Sequence, residues 1–211
     1  MSSKLILIAG GTASGKTTIA SKLVDLVGQN NVNVISQDIY YKKSWDKLNL
    51  EERKKQNFDH PSSFDWDILE KDLKKLLSGK SIIKSKYDYK NFSHYTKDKI
   101  VYEPKKVIVL EGLYSMYEKK IRELSDYKIF VMTDPDIRVI RRINRDAYRL
   151  KDIKKDLSKF SDIYINNIKK MHEIYIEPTK MYADIIIPNQ DMGINNKSIE
   201  IIKSSIKEII N

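Results

Sequence analysis

A glycine-rich stretch near the N-terminus constrains the fold more than any other feature of this chain. Residues 10–17, GGTASGKT, match the pattern G-x-x-x-x-G-K-[ST] at every fixed position. An apolar run at residues 4–9 precedes it and an amphipathic pattern over residues 17–27 follows it. A strand, a glycine loop and a helix in this order turn the backbone N–H groups of the loop towards the positive end of the helix dipole. Phosphate oxygens bind at such a point, so the motif predicts that the chain binds a nucleoside triphosphate.

The motif also predicts roles for individual residues. We expect Lys16 to reach the β- and γ-phosphates and the hydroxyl of Thr17 to ligate Mg²⁺. The apolar run at residues 107–110 ends in the single carboxylate Glu111, which suits Mg²⁺ binding directly or through water. The nucleotide-binding residues predicted for the loop are Gly10, Gly11, Thr12, Ala13, Ser14, Gly15, Lys16, Thr17 and Thr18.

Short apolar runs rich in β-branched residues predict a mostly parallel sheet. Each has the length and composition of a strand buried on both faces. Helical patterns lie between the runs, which predicts an α/β fold with helices on both faces of the sheet. The five runs are residues 4–9, 32–35, 107–110, 129–132 and 184–187. A final amphipathic helix is expected from Ile199, Ile202, Ile206 and Ile209.

The length of 211 residues allows one domain with a sizeable core, and we expect a single domain over residues 1–211. Residues 81–104 interrupt the succession of strands and helices. This segment alternates weakly and ends in Pro104, which predicts a small, irregular β-hairpin standing off the sheet. A connection of this length is usually functional or disordered, and its aromatic residues favour a function.

Composition narrows the classes of function. No run of about 18 apolar residues occurs, so no membrane partner is expected. The chain has no cysteine, which excludes disulfides and thiolate zinc sites and fits a cytoplasmic protein. The net charge of +10 comes mostly from lysines scattered along predicted exposed helix faces, which favours a solvated surface over a nucleic-acid footprint. A nucleotide-dependent nucleic-acid-binding module is the alternative from another class.

The residues after the predicted strands indicate what is done with the nucleotide. The N-K-x-D motif of a GTPase is missing from IIIPNQDM, and Glu111 stands alone where a mechanical ATPase usually has an acidic pair. Asp38 follows the second run, at the edge where ligands bind in such sheets. A carboxylate there can take the proton of an alcohol as the alcohol is phosphorylated. Asp38 therefore favours an alcohol acceptor over a phosphate acceptor, with a solvated or helix-capping aspartate as the alternative.

The stretch NFDHPSSFD, residues 57–65, suits a sugar. The ring of Phe58 can pack against a sugar face, and the carboxylate of Asp59 can accept hydrogen bonds from neighbouring hydroxyls. Ser62 or Ser63 as the N-cap of the following helix would explain part of the same pattern.

Five of the seven arginines lie within residues 136–150, DIRVIRRINRDAYRL. At about 100° per residue, one side of a helix carries Arg138, Arg141, Arg142, Arg145 and Arg149. The opposite side carries Ile140, Ile143, Ala147 and Leu150. We expect the apolar side to pack and the arginine side to face the phosphates, which the planar guanidinium binds bidentately. An exposed face paired with Asp136 and Asp146 is the alternative.

The segments GGTASGKTTIA, SQDIYY, NFDHPSSFD, VIVLEGLY, RRINRD and YADIIIP together resemble the successive motifs of the uridine kinase (uridine–cytidine kinase) family. They occur in the family's order and cover nearly the whole chain. The resemblance implies the three-layer fold of P-loop NTPases with a five-stranded sheet, Mg²⁺ as cofactor and usually a homotetramer. It also implies transfer of the γ-phosphate of ATP or GTP to the 5′-hydroxyl of uridine or cytidine. The alternative is a kinase of the same family that acts on another small alcohol.

The resemblance implies roles at matching positions. Asp38 corresponds to the catalytic base and Tyr41 to a nearby nucleoside contact. Phe58 and Asp59 correspond to residues that pack the nucleoside and hold the ribose hydroxyls. Lys16 keeps the phosphate-binding role already predicted and is expected, with Asp38, to be a catalytic residue.

The resemblance extends to the arginines. Arg142 corresponds to an arginine that contacts the ribose, whereas Arg145 and Arg149 correspond to arginines that contact the triphosphate. Arg145 is also expected to be a catalytic residue. These residues begin a lid expected at about residues 145–160. The lid departs from the family pattern, because the usual R-G-R reads RLK at residues 149–151.

The hairpin that reads the base also departs from the family pattern, which usually places a tyrosine five residues before the histidine and an arginine after it. Here Tyr87 lies seven residues before His94, Tyr89 lies five before it, and Thr96 replaces the arginine. Either an insertion lengthens the loop or Tyr89 takes the tyrosine's role. Tyr87, Tyr89 and His94 are therefore all expected to bind the nucleoside.

Overall fold

The computed structural model describes residues 3–146, 153–190, 200–202 and 204. Over these residues the strands are β1 (Lys4–Gly10), β2 (Val32–Ser36), β3 (Ile82–Asp88), β4 (Ser93–Tyr102), β5 (Val107–Glu111), β6 (Tyr127–Met132) and β7 (Ile185–Pro188). The α-helices are α1 (Lys16–Val27), α2 (Leu50–Lys54), α3 (Trp66–Leu77), α4 (Lys119–Arg122), α5 (Pro135–Asp146) and α6 (Ile153–Ile163). Helix α6 is followed by π-helical stretches at Tyr164–Lys169 and His172–Ile176 and by a 3₁₀ turn at Glu177–Tyr182. No helix within the described ranges is long and apolar enough to cross a membrane.

The central sheet has the order β2-β5-β1-β6-β7, and all its strand pairs are parallel. This confirms the predicted five-stranded α/β fold. Its register places Ser36 beside Glu111 and Gly10 beside Val131. Because parallel strands end at the same edge, the residues that follow β1, β2 and β5 meet there. We call this the carboxyl edge of the sheet.

Alternate residues of β1 separate the core into two layers, one on each face of the sheet. Leu5, Leu7 and Ala9 belong to one cluster, together with the apolar side of α3. Ile6 and Ile8 belong to the other, together with the apolar side of α1. The side chains that α3 and α1 contribute, all buried, are Leu69, Leu73, Leu76, Ile19, Ala20 and Leu23. Helices on both faces confirm the predicted three-layer arrangement.

Strands β3 and β4 pair antiparallel in a separate two-stranded sheet, which is the hairpin predicted for residues 81–104. The ammonium group of Lys84, in β3, lies 2.9 Å from a carboxylate oxygen of Asp72 in α3, and both side chains are buried. The same ammonium group lies 4.3 Å from the ring centroid of Tyr40. These contacts fasten the base of the hairpin to the core of the domain.

The chain that returns from the hairpin covers the outer edge of β2. The side-chain amide of Asn33 donates a hydrogen bond to the carbonyl of Glu103. Lys105 Nζ donates to the carbonyls of Gln29, at 2.7 Å, and Val32, at 3.2 Å. The segment after β4 thus lies alongside a strand with which it forms no ladder.

The prediction that Ser62 or Ser63 caps the helix after them is wrong. Asp65 is the N-cap of α3, and its carboxylate accepts a hydrogen bond from the backbone N–H of Ile68 at 3.3 Å. The two serines lie in a separate 3₁₀ turn, Pro61–Ser63, in which the ring of His60 accepts from the backbone N–H of Ser62. The helix therefore starts later than the serines suggested.

The expectation that Ile140, on the apolar side of the arginine-rich helix, packs in the core is also wrong, although the arginine side does lie against the phosphate loop. Arg138 is only 3% exposed, whereas Ile140 is 58% exposed. The arginine side of α5 packs because Arg138, Arg141 and Arg142 donate hydrogen bonds to two backbone carbonyls and a hydroxyl at the carboxyl edge. Of the other predicted apolar positions, Ile143 is half-buried, whereas Ala147 and Leu150 lie outside the described residues. Ile199, Ile206 and Ile209 of the expected last helix also lie outside them, and Ile202 of that helix is buried.

We expect the substitution Asp72→Ala to destabilise the fold, because it leaves the ammonium group of Lys84 buried without its counter-charge. Removing one partner of a buried ion pair typically costs about 3 kcal/mol or more. Urea denaturation followed by circular dichroism measures the free energy of unfolding. The matched control is Lys54→Ala, which breaks the exposed pair with Glu51 and should leave that free energy nearly unchanged. Equal stability of the two variants would contradict a structural role for the buried pair.

Candidate active site

The loop at residues 10–17 lies so close to the sheet that two of its positions admit only glycine. Gly10 has a φ of +148° and Gly15 a φ of +97°, where L side chains are strained. A Cβ at Gly10 would lie 2.5 Å from the carbonyl oxygen of Val131. A Cβ at Gly15 would lie 2.3 Å from the side-chain nitrogen of Asn189. Both glycines of the motif are therefore required by close packing as well as by backbone conformation.

Two residues that sequence reasoning missed hold the loop in place. Asn189 Nδ2 donates a hydrogen bond to the carbonyl of Ser14 at 2.7 Å, and Thr133 Oγ1 lies 3.1 Å from the same carbonyl oxygen. Thr133 and Asn189 directly follow β6 and β7, so the strand-end rule that selected Asp38 could have found them. The hydroxyl oxygen of Ser14 is buried and has no hydrogen-bond partner among the described residues. It is a polar group that a bound phosphate would satisfy.

Three ionisable side chains that sequence analysis selected lie together at the carboxyl edge. Lys16 Nζ donates to the carbonyl of Gly11 at 2.8 Å, and burial lowers its pKa to about 8 against the opposing effect of Glu111 and Asp38. Burial raises the pKa of Glu111, and the charge of Lys16 opposes that rise. The charges of Asp38 and Glu111 affect the pKa of Lys16, and the charge of Lys16 affects the pKa of both carboxyls. The cluster thus contains one buried cation and two carboxylates.

Glu111 has the surroundings of a ligand for a hard cation. Its side chain is only 8% exposed. Hydrogen bonds from the hydroxyls of Ser36 and Thr17 partly offset the burial that raises its pKa. A carboxylate between two hydroxyls offers only oxygen donors, which is the ligand set that Mg²⁺ prefers. The predicted metal ligands Thr17 and Glu111 are thus close together, and Ser36 joins them.

Asp38 lies in the 3₁₀ turn Gln37–Tyr40 that follows β2, at the carboxyl edge where the sequence places it. Its Oδ2 accepts a hydrogen bond from the hydroxyl of Tyr89 at 2.9 Å. Burial raises the pKa of Asp38, while the bond from Tyr89 and the charge of Lys16 lower it. The carboxylate is therefore near the phosphate-binding loop and in contact with the hairpin.

An aromatic cluster lines the crevice beside Asp38. Tyr41 is buried and stacks on Phe64 with ring centroids 4.5 Å apart. Its ring also lies 5.3 Å from Phe58, edge to face, and 4.9 Å from Tyr87. Phe58 is only half-buried, so part of its ring is available to a ligand. The two predicted aromatic contacts, Tyr41 and Phe58, thus belong to one cluster.

Asp59 connects the loop region to the long helix that begins with α6. Its Oδ2 accepts from the side-chain amide of Asn167 at 3.3 Å, and its backbone carbonyl accepts from the hydroxyl of Tyr114. Burial raises the pKa of Asp59, and the charge of Arg142 opposes the rise. Arg142 Nη1 donates to Thr12 Oγ1 at 2.8 Å, so this arginine bridges the phosphate loop and the predicted ribose carboxylate. Asn167 had no sequence signal, because it lies within a π-helical stretch.

The two tyrosines of the hairpin, Tyr87 and Tyr89, have different environments. Tyr87 is opposite His94 in the strand register, and both are buried with ring centroids 5.3 Å apart. The ring of His94 lies 2.9 Å from Asp46 Oδ2 through Nδ1 and 3.1 Å from the carbonyl of Ile39 through Nε2. Both ring nitrogens thus have protein partners. Tyr89 is half exposed at the tip and is the tyrosine that reaches Asp38.

Three of the four described arginines of α5, Arg138, Arg141 and Arg142, contact the phosphate loop or the residues that support it. Arg138 Nε donates to the carbonyl of Thr133 at 3.1 Å, and Arg141 Nη1 donates to the carbonyl of Asn189 at 3.0 Å. The guanidinium group of Arg138 also packs directly against Gly11. Arg145 is exposed and pairs with Asp146 at 3.2 Å, while its charge contributes to the pKa of Lys16 and of Asp38. Arg149 and the lid residues 147–152 lie outside the described residues.

We expect ATP binding to weaken as the pH rises above 8. Burial lowers the pKa of Lys16 to about 8, so its ammonium form is present below that pH and is lost above it. Because bound phosphates favour the ammonium form, ATP binding at pH 9 should take up a proton. Calorimetry of ATP binding in buffers of different ionisation enthalpy measures this uptake. The variant Lys16→Met should bind weakly and without it, and uptake that persists in this variant would show that another group titrates.

Comparison with known proteins agrees with this geometry. The family model described as Phosphoribulokinase / Uridine kinase family matches residues 5–194. A uridine kinase of Macrococcus caseolyticus is 42% identical over 206 residues, which cover 98% of this chain and 97% of that protein. A uridine kinase of Halalkalibacterium halodurans is 42% identical over 206 residues, with coverages of 98% and 94%.

Solved structures show the same fold. Phosphoribulokinase from Rhodobacter spheroides matches with a TM-score of 0.62 and 16% sequence identity, over 89% of this chain and 70% of that one. The family match extends over the phosphate loop, the carboxylates at the strand ends, the hairpin and the arginine helix. On this full-length similarity, the chain belongs to the phosphoribulokinase/uridine kinase family.

Proposed function

We propose that this chain is a uridine kinase that transfers the γ-phosphate of ATP or GTP to the 5′-hydroxyl of uridine or cytidine, giving UMP or CMP. The name of relatives that are 42% identical over nearly the whole chain supports this function. The observation that carries it is the position of Asp38, a carboxylate that shares the carboxyl edge with Lys16 and Glu111. A kinase with an alcohol acceptor needs such a group, whereas a kinase with a phosphate acceptor does not.

The chemistry assigned to Asp38 is proton removal. As the 5′-oxygen bonds to the γ-phosphorus, the bond from that phosphorus to the oxygen of ADP breaks, and the hydroxyl proton passes to the carboxylate. The protonated carboxyl is tolerated at this position because burial already raises its pKa. Lys16 stabilises the charge that develops on the phosphate oxygens, since its ammonium group is fixed beside the loop.

Substrate positioning is assigned to the aromatic cluster and to Asp59. The half-buried ring of Phe58 offers a face to the nucleoside, and the carboxylate of Asp59 accepts hydrogen bonds from the ribose hydroxyls. Arg142 lies between the phosphate loop and Asp59, so it can hold the ribose and the triphosphate in a fixed relation. Positioning of this kind supplies much of the acceleration in phosphoryl transfer.

Mg²⁺ fits the donors of the site. The hydroxyls of Thr17 and Ser36 lie beside the carboxylate of Glu111, so the site offers only oxygen donors. Because Glu111 is buried, a neighbouring cation would stabilise its charged form. Bound there, Mg²⁺ would neutralise part of the charge on the β- and γ-phosphate oxygens. We assign Thr17 and Glu111 as its protein ligands.

A second candidate is a kinase of the same family with another small alcohol as acceptor. It is favoured by one observation, the two hydrogen bonds that His94 makes within the protein. A histidine whose ring nitrogens are both bonded must give up a partner before it can read a pyrimidine. A panel of nucleosides and sugar alcohols separates the two candidates.

We also propose that the chain acts in the cytoplasm as a homotetramer, with nucleosides and nucleoside triphosphates rather than nucleic acid or membrane as partners. The assembly and the location rest on the family resemblance. Light scattering coupled to gel filtration measures the assembly directly.

We expect Asp38→Asn to keep ATP binding nearly intact and to lower the turnover number by about 100-fold or more, because the amide cannot accept the proton. Phosphate transfer from ATP with Mg²⁺ to uridine, cytidine, thymidine and adenosine should be measured for both proteins. Phosphorylation of uridine or cytidine by the wild type and not by Asp38→Asn would identify the acceptor and would support Asp38 as the general base.

The matched control for this experiment is Asp65→Asn, an isosteric change away from the crevice. Asparagine caps helices as well as aspartate does, so α3 and the activity should be preserved. Full activity in Asp38→Asn would refute the role of Asp38 as base. Hydrolysis of ATP without phosphorylation of any nucleoside in the wild type would refute the acceptor.

A further inference from the structure

We propose that Tyr89 makes the enzyme specific for an alcohol over water, by capping the carboxylate of Asp38 until the acceptor displaces its hydroxyl. The proposal rests on the proposed function, because it requires Asp38 to be the base for an alcohol. It assigns to Tyr89 a positioning role that acts through Asp38.

The hydroxyl of Tyr89 occupies the carboxylate oxygen that an acceptor needs. It donates to Asp38 Oδ2 at 2.9 Å, which is the same kind of bond that an acceptor hydroxyl must make before it loses its proton. The phenol is suited to donate without reacting, because desolvation of its hydroxyl and the adjacent charge of Asp38 raise the pKa of Tyr89. It keeps its proton and remains a weak nucleophile.

The backbone of the hairpin tip is held in place. Asp88 Oδ1 accepts from the backbone N–H groups of Lys90, at 2.9 Å, and Asn91, at 3.3 Å. From the opposite side, Arg53 Nη1 donates to the carbonyl of Asn91 at 2.9 Å. Nε and Nη2 of the same guanidinium donate to two carbonyls of the segment before α2, those of Leu48 and Asp46. Tyr89 is thus presented to Asp38 by a tip that is fixed on both sides.

The side chain of Tyr89, in contrast, can leave without moving that backbone. It is 50% exposed, and its ring contacts Tyr87 edge to face with centroids 5.3 Å apart. A rotation about the side-chain bonds towards solvent would free Asp38 Oδ2 and replace one hydrogen bond by that of the acceptor. Displacement therefore requires a competing hydroxyl that is itself held in place, as a bound nucleoside is and a single water molecule is not.

Water is the competitor that the cap must exclude. In hydrolysis the water oxygen would bond to the γ-phosphorus, the bond to the oxygen of ADP would break, and one water proton would pass to Asp38. The base and the phosphate-binding groups Lys16 and Glu111 are the same for both reactions. Discrimination must therefore act on access to the base, which is where the hydroxyl of Tyr89 lies.

The test is ATP hydrolysis in the presence of Mg²⁺ and the absence of any acceptor. Tyr89→Phe keeps the exposed ring and removes only the hydroxyl, and we expect it to hydrolyse ATP about tenfold faster or more than the wild type, the effect of one hydrogen bond to a charged group. Tyr95→Phe, a half-exposed tyrosine on β4 of the same hairpin, is the matched control and should hydrolyse ATP at the wild-type rate. An unchanged rate in Tyr89→Phe would overturn the proposal.

The double variant Asp38→Asn/Tyr89→Phe shows whether the hydroxyl acts through the base. We expect the added hydrolysis to disappear in it, and hydrolysis that persists would also overturn the proposal. Because these assays contain no nucleoside, they remain informative if uridine and cytidine prove not to be acceptors. In that case the proposed acceptor fails, while the comparison of the single variants still decides the role of Tyr89.

The pH profile of ATP hydrolysis distinguishes an action through Asp38 from a merely structural effect of Tyr89→Phe, because a structural effect would not shift the profile. The bond from Tyr89 lowers the pKa of Asp38, so its loss should raise that pKa and move the acidic limb of the profile to higher pH. An unmoved limb would contradict the contact in solution. The other titratable groups near Asp38, identical in both proteins, are Lys16, Tyr41, Asp59, Tyr87, Glu111 and Arg145.

Discussion

The close approach of the phosphate loop to the ends of β6 and β7 is the constraint on which the rest of the site depends. The carbonyl of Val131 and the side chain of Asn189 leave room only for hydrogen at Gly10 and Gly15. The loop is therefore shaped by its contacts with the ends of the strands. Its position in turn places Lys16 over the carboxyl edge and brings the arginine side of α5 against Gly11. Preorganisation of this kind avoids reorganisation of the site during the reaction.

The burial that this packing produces sets the electrostatics of the site. Lys16, Asp38 and Glu111 each lose solvation, which moves the pKa of the lysine down and those of the carboxyls up. Attraction between the cation and the carboxylates limits these shifts. A triphosphate with Mg²⁺ brings both signs of charge into the cluster, so the protein groups and the ligand complement each other. The same reasoning explains why the buried guanidinium of Arg138 donates to the carbonyl oxygen of Thr133.

Sequence reasoning succeeded where a local pattern determines the structure. The five strands and the carboxyl-edge position of Asp38 follow from short apolar runs and from the rule that parallel strands end together. It failed where a side chain's environment depends on distant elements. Ile140 was expected to pack, but the helix buries its polar side instead. Arg141 and Arg142 donate to Asn189 and Thr12, which lie far from them in sequence. Asn167 reaches Asp59 from a helix more than a hundred residues away.

The way the hairpin returns to the sheet has a consequence for aggregation. An edge strand exposes a row of unpaired backbone groups that can pair with a strand of another molecule. Alternation turns the carbonyl of Val32 away from β5, and Lys105 Nζ bonds to it. The outward-facing carbonyl of Val32 is thus bonded to the ammonium group of Lys105. This charged side chain lies where a strand of another molecule would have to approach. The opposite edge strand, β7, ends in Pro188, which cannot donate to a ladder. Both edges of the sheet thus carry features that oppose pairing between molecules in a crowded solution.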